Sequence, residues 1–317
     1  ICIRKILKIY YSMKILITGV AGFIGSNLAD YLLKNNFEVI GIDNLSYGTF
    51  EQVPKEVVFH KADIRDKNIY DLFHDIQYVF HLAAKNSIID CENNPSETSD
   101  INVNGTINIF DAAVKHKINK VIYAESSAVY EGSRNLPSKE LDVSPQSVYA
   151  KSKIATNHIA KKYFESQNLV TIGLRYFNVY GPKQDYRRTI PPVFSSFIIK
   201  LLKGERPTIY GDGSKKRDFI YVDDVNDFHL MCINKHQTNN KVFNIGSGEN
   251  YSIKFIYETI KTMLNSDIEP LFGDNFDFEA QDNLANIDKA KKIGWNPSTK
   301  LEDGLKKSID YIRKHVI

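Results

Sequence analysis

From Lys14 onward the chain repeats one pattern: a short apolar run, a turn, then a stretch with apolar residues at helical spacing. The runs are KILITG (14–19), FEVIGID (37–43), VVFHKAD (57–63), YVFHLAA (78–84), KVIYAES (120–126) and VTIGLRYFN (170–178). Between them lie helical candidates such as SNLADYLLKNN and VNGTINIFDAAVKHK. A strand covered on one face alternates apolar and polar residues, because successive side chains point to opposite faces. Nearly unbroken apolar runs are expected instead where helices cover both faces of a parallel sheet. The repetition therefore predicts an α/β fold with a doubly wound, Rossmann-type parallel sheet.

After Gly181 the rhythm loosens, and GPKQDYRRTIPP is rich in proline and charge. The expected division is a Rossmann domain of residues 13–181 with 218–247, and a smaller C-terminal substrate-binding lobe of 182–217 with 248–317. RDFIYVDDV and KVFNIGSG are the segments that return the chain to the first domain.

Composition narrows the partners. With 317 residues, 43% of them hydrophobic, the chain can bury one large core or two moderate ones. Lys plus Arg number 41 against 38 acidic residues, a formal charge of +3, which gives no reason to expect nucleic acid or a membrane. No apolar stretch approaches the roughly 20 residues of a membrane span. The opening ICIRKILKIYYS is basic and apolar but lacks the small-residue cleavage site of a secretory signal. Met13 immediately precedes the first strand and is read as the natural start, with residues 1–12 an extension. Cys2, Cys91 and Cys232 are odd in number and widely separated, which fits a reducing cytoplasm better than a disulfide framework. Neither they nor the closest histidines, His74 and His81, show metal-ligand spacing, so no metal is expected.

The first run opens into TGVAGFIGSN, with Gly19, Gly22 and Gly25 spaced by three. The first glycine permits a tight turn, the second lets a pyrophosphate approach the backbone, and the third lets the helix pack against the strand. The helix start then offers amides and partial positive charge to the phosphates. Asp43 closes the second strand eighteen residues after Gly25. A carboxylate there accepts from a ribose diol and repels a 2′-phosphate, favouring NAD over NADP. Asp63 ends the third strand, within reach of an adenine edge.

SVYAKSK places Tyr149 and Lys153 four apart, on one face of a helix. An ammonium beside a phenol favours the phenolate, lowering a pKa of about 10 toward working pH. Such a tyrosine accepts a proton from an alcohol while hydride leaves the same carbon. The same spacing recurs at Tyr10 with Lys14 and at Tyr257 with Lys261, but only Tyr149 lies one crossover after a serine-bearing strand end, YAESSAVYEG.

Together, the glycine pattern, HLAA (81–84), NVNGT (102–106), SSAVY, YAKSK, LRYFNVYGP and RDFIYVDDV resemble the extended short-chain dehydrogenase/reductases. Within them the chain is similar to NAD-dependent nucleotide-sugar epimerases and dehydratases, from Met13 to the last helix. The resemblance implies Ser126, Tyr149 and Lys153 as the catalytic set. It implies NAD contacts at Gly19, Gly22, Phe23, Ile24, Gly25, Asp43, Asn44, Asp63 and Ile64, and further along at Leu82, Ala83, Ala84, Lys85, Asn102, Tyr149, Lys153 and Phe177. It implies that Asn178 and Arg217 grip a nucleotide diphosphate, that Thr208, Ile209 and Tyr210 flank the base, and that Ser87 faces the sugar. Similar proteins pair as homodimers through the helices carrying NVNGT and YAKSK.

Relatives that dehydrate sugars carry an Asp-Glu pair after the catalytic hydroxyl, whereas this chain has Ser127 and Ala128. Glu125, on the other side of Ser126, is expected to point away, since neighbours alternate along a strand. The expected reaction is therefore 4-epimerisation of a UDP-sugar. In similar epimerases the residue two before the alanine of an LAD-like motif gates room for a 2-N-acetyl group. Here that residue is Asn283, moderately small, which favours UDP-GlcNAc/UDP-GalNAc over UDP-glucose/UDP-galactose or UDP-glucuronate; a nucleotide-sugar reductase on the same scaffold is the other alternative. Three departures from the family stand out. Glu131 replaces the glycine after VY, so that turn must be built differently. NFDFEAQDN lacks a second diphosphate arginine; Arg187 or Arg188 is a candidate substitute, although a solvated loop charge is the more ordinary reading of either. The LAD aspartate is Asn286.

Overall fold

The computed structural model describes residues 13–187, 191–275 and 280–317. Residues 1–12, with Cys2 and Tyr10, and Arg188 lie outside them. All six apolar runs form strands of one sheet: β1 (Lys14–Thr18), β2 (Glu38–Asp43), β3 (Val58–Lys61), β4 (Tyr78–His81), β5 (Lys120–Ser126) and β6 (Thr171–Tyr176). A seventh, β10 (Lys241–Ile245), comes from the return segment KVFNIGSG. The order is β10–β6–β5–β4–β1–β2–β3, and every pair is parallel. This is the doubly wound Rossmann sheet, with its strand order reversing between β1 and β4.

Side-chain alternation distributes the apolar residues to two cores. Ile15 and Ile17 belong to one, with Leu28 and Leu32 of α1 (Phe23–Lys34) and Val225 and Phe228 of α7 (Val222–Asn234). Leu16 belongs to the other, with Ile109 and Phe110 of α4 (Gly105–Lys115) and Ala160 of α5 (Val148–Gln167). Burying each such side chain contributes about 1.5–3 kcal/mol. Several strands stop short of the apolar runs that announced them. Gly19, Ala62, Asp63, Leu82 to Ala84 and Phe177 leave the sheet and build the loops at its carboxyl edge, where open α/β sheets bind ligands.

The remaining elements are α2 (Ile88–Asn93), α3 (Pro95–Ser99), β7 (Asn178–Tyr180), α6 (Val193–Leu202), β8 (Thr208–Tyr210), β9 (Lys216–Tyr221), β11 (Asn250–Ser252), α8 (Ile253–Met263), β12 (Leu271–Gly273), α9 (Asp288–Lys292) and α10 (Leu301–His315). Here a third core gathers α6, α8 and α10 around stacked rings, with Tyr180 and Phe194 4.4 Å apart. Ala285, Ile287, Ala290 and Trp295, expected with the second lobe, pack instead in the core beneath β10. Asp218 draws that segment in: its carboxylate accepts from the backbone amides of Ser247 (2.7 Å), Gly248 (3.1 Å) and Ala285 (3.0 Å).

Glu125 and Arg175 face each other in register on β5 and β6. Their side chains are 0% and 4% exposed, with Arg175 Nε 2.7 Å from Glu125 Oε2. Tyr123 Oη and Asn157 Nδ2 donate to the other carboxylate oxygen, and Arg175 reaches Tyr130 Oη and the Glu140 carbonyl. Removing one partner of such a pair strands a buried charge. Arg175→Met is therefore expected to lose about 3–5 kcal/mol in denaturant unfolding, with the double change Glu125→Leu/Arg175→Met recovering most of it.

Candidate active site

At the carboxyl edge of the sheet a cleft of about 930 Å³ runs between the β1–α1 loop and the second lobe. Its inner wall begins with the glycine turn. Gly19 has a φ of +75°, and a Cβ there would meet the Ala83 amide nitrogen at 2.7 Å. A Cβ on Gly25 would run into the Gly19 carbonyl, so strand and helix meet with no room for a side chain. Gly22 caps α1 with no side-chain hydrogen bond, leaving the helix's first amides to an outside acceptor. Phe23 and Ile24, in that first turn, line the cleft. This is a cradle that fits a pyrophosphate.

The adenosine end fits NAD equally well. Asp43 Oδ2 accepts from the Ala21 amide (3.0 Å) and Oδ1 from the Leu45 amide (2.8 Å), which aims the carboxylate into the cleft beside Asn44. Burial pushes its pKa up while the two amides pull it down. Asn44 Nδ2 donates to Asp63 (3.0 Å), and two Arg65 nitrogens grip the same carboxylate. Arg65 thereby holds Asp63 well below the usual carboxylate range, as a fixed charge next to Ile64. Asp63, Ile64, Leu82, Ala83, Ala84, Lys85 and Phe177 all line the cleft.

Behind this wall runs a continuous buried hydrogen-bond chain. Thr18 Oγ1 accepts from the Ala83 amide and lies 2.7 Å from His81 Nδ1; His81 Nε2 lies 2.9 Å from Thr106 Oγ1. The Thr106 hydroxyl donates to the Asn102 carbonyl (2.6 Å). Burial pushes the imidazole down to about 3, so it is neutral and bridges the two threonines as one donor and one acceptor. Asn102, expected to touch NAD, stands within this chain, 2% exposed, behind the residues that line the cleft. Its side chain accepts from the Lys85 amide (2.8 Å) and donates to the Lys85 carbonyl (2.9 Å) and Ser152 Oγ (3.0 Å). It shapes the loop that lines the cofactor end. Lys85 in turn pairs with Glu97 of α3, a partner with no sequence signal.

The chemical end joins two elements, β5 and α5. Ser126 ends β5, and its Oγ accepts from the Ala128 amide (3.2 Å), leaving the hydroxyl hydrogen to donate elsewhere. Tyr149 and Lys153 share one face of α5, with Lys153 Nζ 5.8 Å from the centre of the Tyr149 ring. Lys153 Nζ also donates to the Ala124 carbonyl (3.0 Å), which ties α5 to β5 beside Ser126. Burial pushes its ammonium down to about 8, with Glu125 acting the other way. Ser126, Tyr149 and Lys153 all open onto the cleft. Glu125 also borders the cleft, but its side chain is 0% exposed and its carboxylate is held by Arg175.

The outer end carries Asn178, Asn283, Thr208, Tyr210 and Arg217. Asn283 Oδ1 accepts from the Asp218 amide (2.8 Å) and from Asn178 Nδ2 (3.2 Å), so the two asparagines form one wall. Two expected contacts are not here. Ile209 is 1% exposed in the third core, because alternation along β8 turns it inward while Thr208 and Tyr210 face the cleft. Ser87 caps α2, its Oγ accepting from the Asp90 amide (3.2 Å), and does not line the cleft. Lys200 and Lys215, which line it beside Arg187, were not anticipated from sequence, where they read as ordinary lysines.

Residues 15–246 match the family described as "NAD dependent epimerase/dehydratase family". A "Putative UDP-glucose 4-epimerase" of Methanocaldococcus jannaschii is 37% identical over 95% of this chain and 99% of its own. Among solved structures, UDP-glucose 4-epimerase of Thermotoga maritima with UDP-glucose superposes with a TM-score of 0.92 at 33% identity, over 96% of this chain and 100% of that one. UDP-N-acetylglucosamine 4-epimerase of Methanobrevibacter ruminantium, in complex with UDP-N-acetylmuramic acid, superposes equally well (0.92, 33%, 96% and 99%). Matched over most of its length in sequence and in fold, and built around a dinucleotide cradle at the strand-order reversal, the chain belongs to the NAD-dependent epimerase/dehydratase family.

Proposed function

We propose that this protein is a UDP-sugar 4-epimerase, working by transient oxidation at C4 with NAD held in the inner cleft. One observation carries the choice of epimerisation over dehydration: among the described residues, no uncommitted carboxylate stands beside Ser126. Glu125 is sealed in its pair with Arg175, Glu131 accepts from the amides of Gln146 and Ser147, and Ser127 and Ala128 follow Ser126 directly. Eliminating water needs a second acid–base pair, whereas moving one hydride out and back needs only one proton carrier.

In this reading Lys153 holds Tyr149 as a phenolate, which takes the 4-OH proton, while Ser126 donates a hydrogen bond to the same oxygen. NAD, held by the glycine turn, Asp43 and Lys153, would supply the hydride acceptor for C4; the keto-sugar, held by its diphosphate, then turns over so that the hydride comes back to its opposite face. Tyr149 then gives its proton back, so there is no net redox change. Arg187, Lys200, Lys215 and Arg217 supply the positive outer wall for the diphosphate, and Thr208 and Tyr210 flank the base. Asn283, with Oδ1 occupied, presents a compact amide and leaves space for a 2-N-acetyl group. The reading therefore favours UDP-GlcNAc/UDP-GalNAc among the UDP-hexoses, and we further propose a homodimer paired through α4 and α5.

Incubation with UDP-Glc, UDP-GlcNAc and UDP-GlcA, resolved by anion-exchange chromatography, is expected to show interconversion of UDP-GlcNAc and UDP-GalNAc without stoichiometric change at 340 nm. No conversion of any of the three sinks the epimerase assignment; a stoichiometric absorbance change points to a reductase. Tyr149→Phe should lower kcat by about 10²–10⁴-fold, the usual worth of a positioned proton carrier.

The pH profile follows from Lys153. With its ammonium at about 8 in the free protein, the cation is mostly kept at pH 7 and lost as pH rises through 8. The kcat/KM profile should therefore fall on its alkaline side near pH 8. Lys153→Met removes the cation at every pH, so the acid limb should move upward as the phenol becomes harder to ionise. An unmoved acid limb contradicts the assigned role.

A further inference from the structure

Tyr149 lies in the first turn of α5, where a helix has four amides without internal acceptors and opens most easily. That turn is held from outside by side chains. Ser147 caps it, its Oγ accepting from the Ala150 amide (3.1 Å). Glu92 of α2 takes the Val148 amide (2.6 Å). Glu131 takes more than either: Oε2 accepts from the amides of Ser147 (2.9 Å) and Gln146 (3.3 Å), and Oε1 accepts from the Ser147 hydroxyl (3.0 Å). The cap serine thus passes one link of a chain from Glu131 to the backbone beside Tyr149.

The other end of that link is equally firm. Glu131 follows the single 3-10 turn Ser127–Tyr130 that grows out of Ser126, and its amide donates to the Ala128 carbonyl (3.1 Å). Ala128 itself donates to Ser126 Oγ. Tyr130, just before Glu131, is buried and stacks on Phe177 with ring centres 6.0 Å apart. The turn that carries Glu131 is therefore rigid at Ser126, and the carboxylate reaches across to the start of α5. At this position the resembling family has a glycine, which has no side chain to make the contact.

We propose that Glu131 is a positioning residue: a strut from the Ser126 turn to the first turn of α5 that sets Tyr149 relative to Ser126. The strut stands on the geometry alone; its kinetic consequence rests on the epimerase reading. Misplacing a proton carrier by about 1 Å costs up to about 10²-fold in rate without weakening ground-state binding. Glu131 borders the cleft but touches neither reacting atom in this account; a role carried through Tyr149 acts on kcat and spares KM.

The test compares the parent, Glu131→Ala and Glu131→Gln in two measurements. In hydrogen–deuterium exchange, the amides of residues 147–150 should exchange about tenfold or more faster in Glu131→Ala, and near the parent rate in Glu131→Gln, whose carbonyl still accepts. In turnover of whichever UDP-hexose the parent converts, Glu131→Ala should lose about 10- to 100-fold in kcat with KM within about threefold, and Glu131→Gln should restore most of the loss. Parent-like exchange in Glu131→Ala overturns the strut. Faster exchange with unchanged kcat, or a KM that rises as kcat falls, overturns the positioning role. A parent that turns over no UDP-hexose removes the epimerase reading, and the exchange measurement still decides the strut.

Discussion

The site depends on one buried hydrogen-bond chain, from Thr18 through His81 and Thr106 to Asn102, and on to Lys85 and Ser152. It joins the end of β1, which opens the glycine turn, to the end of β4, the start of α4 and the helix that bears Tyr149. Ser152 completes it by donating to the Tyr149 carbonyl (2.7 Å). Every member is buried in a medium where an unmade bond costs about 1–3 kcal/mol, so the chain has one satisfied arrangement and little freedom to leave it. The wall of the cofactor end and the helix that bears Tyr149 are consequently held in one register.

A second economy concerns carboxylates. Asp43 is fixed by two amides, Asp63 by Arg65, Glu97 by Lys85, Glu125 by Arg175, Glu131 by the start of α5 and Asp218 by three amides. Each is an acceptor already in use, aimed or sealed by donors the fold supplies. In the proposed reaction, and among the described residues, this leaves Tyr149 and Lys153 to handle protons beside Ser126. The chemistry open to the site is set as much by acids committed elsewhere as by Tyr149 and Lys153 themselves.

Several features read from the residues rest on local physics and reappear in the structure. Six unbroken apolar runs become six parallel strands because a sheet covered on both faces needs apolar side chains at every position. The glycine spacing becomes a turn in which Gly19 takes a left-handed φ and Gly25 admits no Cβ. Tyr149 and Lys153 share a face because helical period requires it. Alternation also places Glu125 opposite Ser126, although nothing local says that Arg175 waits there, fifty residues away.

What the chain alone determined is thus the class of sheet, the edge at which a nucleotide binds, and the serine, tyrosine and lysine delivered to that edge. Each follows from periods and spacings within a few residues. Tertiary structure decided which polar side chains face the cleft and which hold its wall. Asn102 turned back to clamp Lys85, Ser87 became a helix cap, Ile209 joined a core, and Ala285, Ile287, Ala290 and Trp295 packed against β10. The first and last of these depend on donors and acceptors brought together from distant segments, since a buried polar group goes where its partner is, whereas Ser87 answers a local cap and Ile209 the alternation along β8. Glu131 is the sharpest case: in sequence a departure from a family glycine, in the fold a carboxylate holding the helix start on which Tyr149 stands.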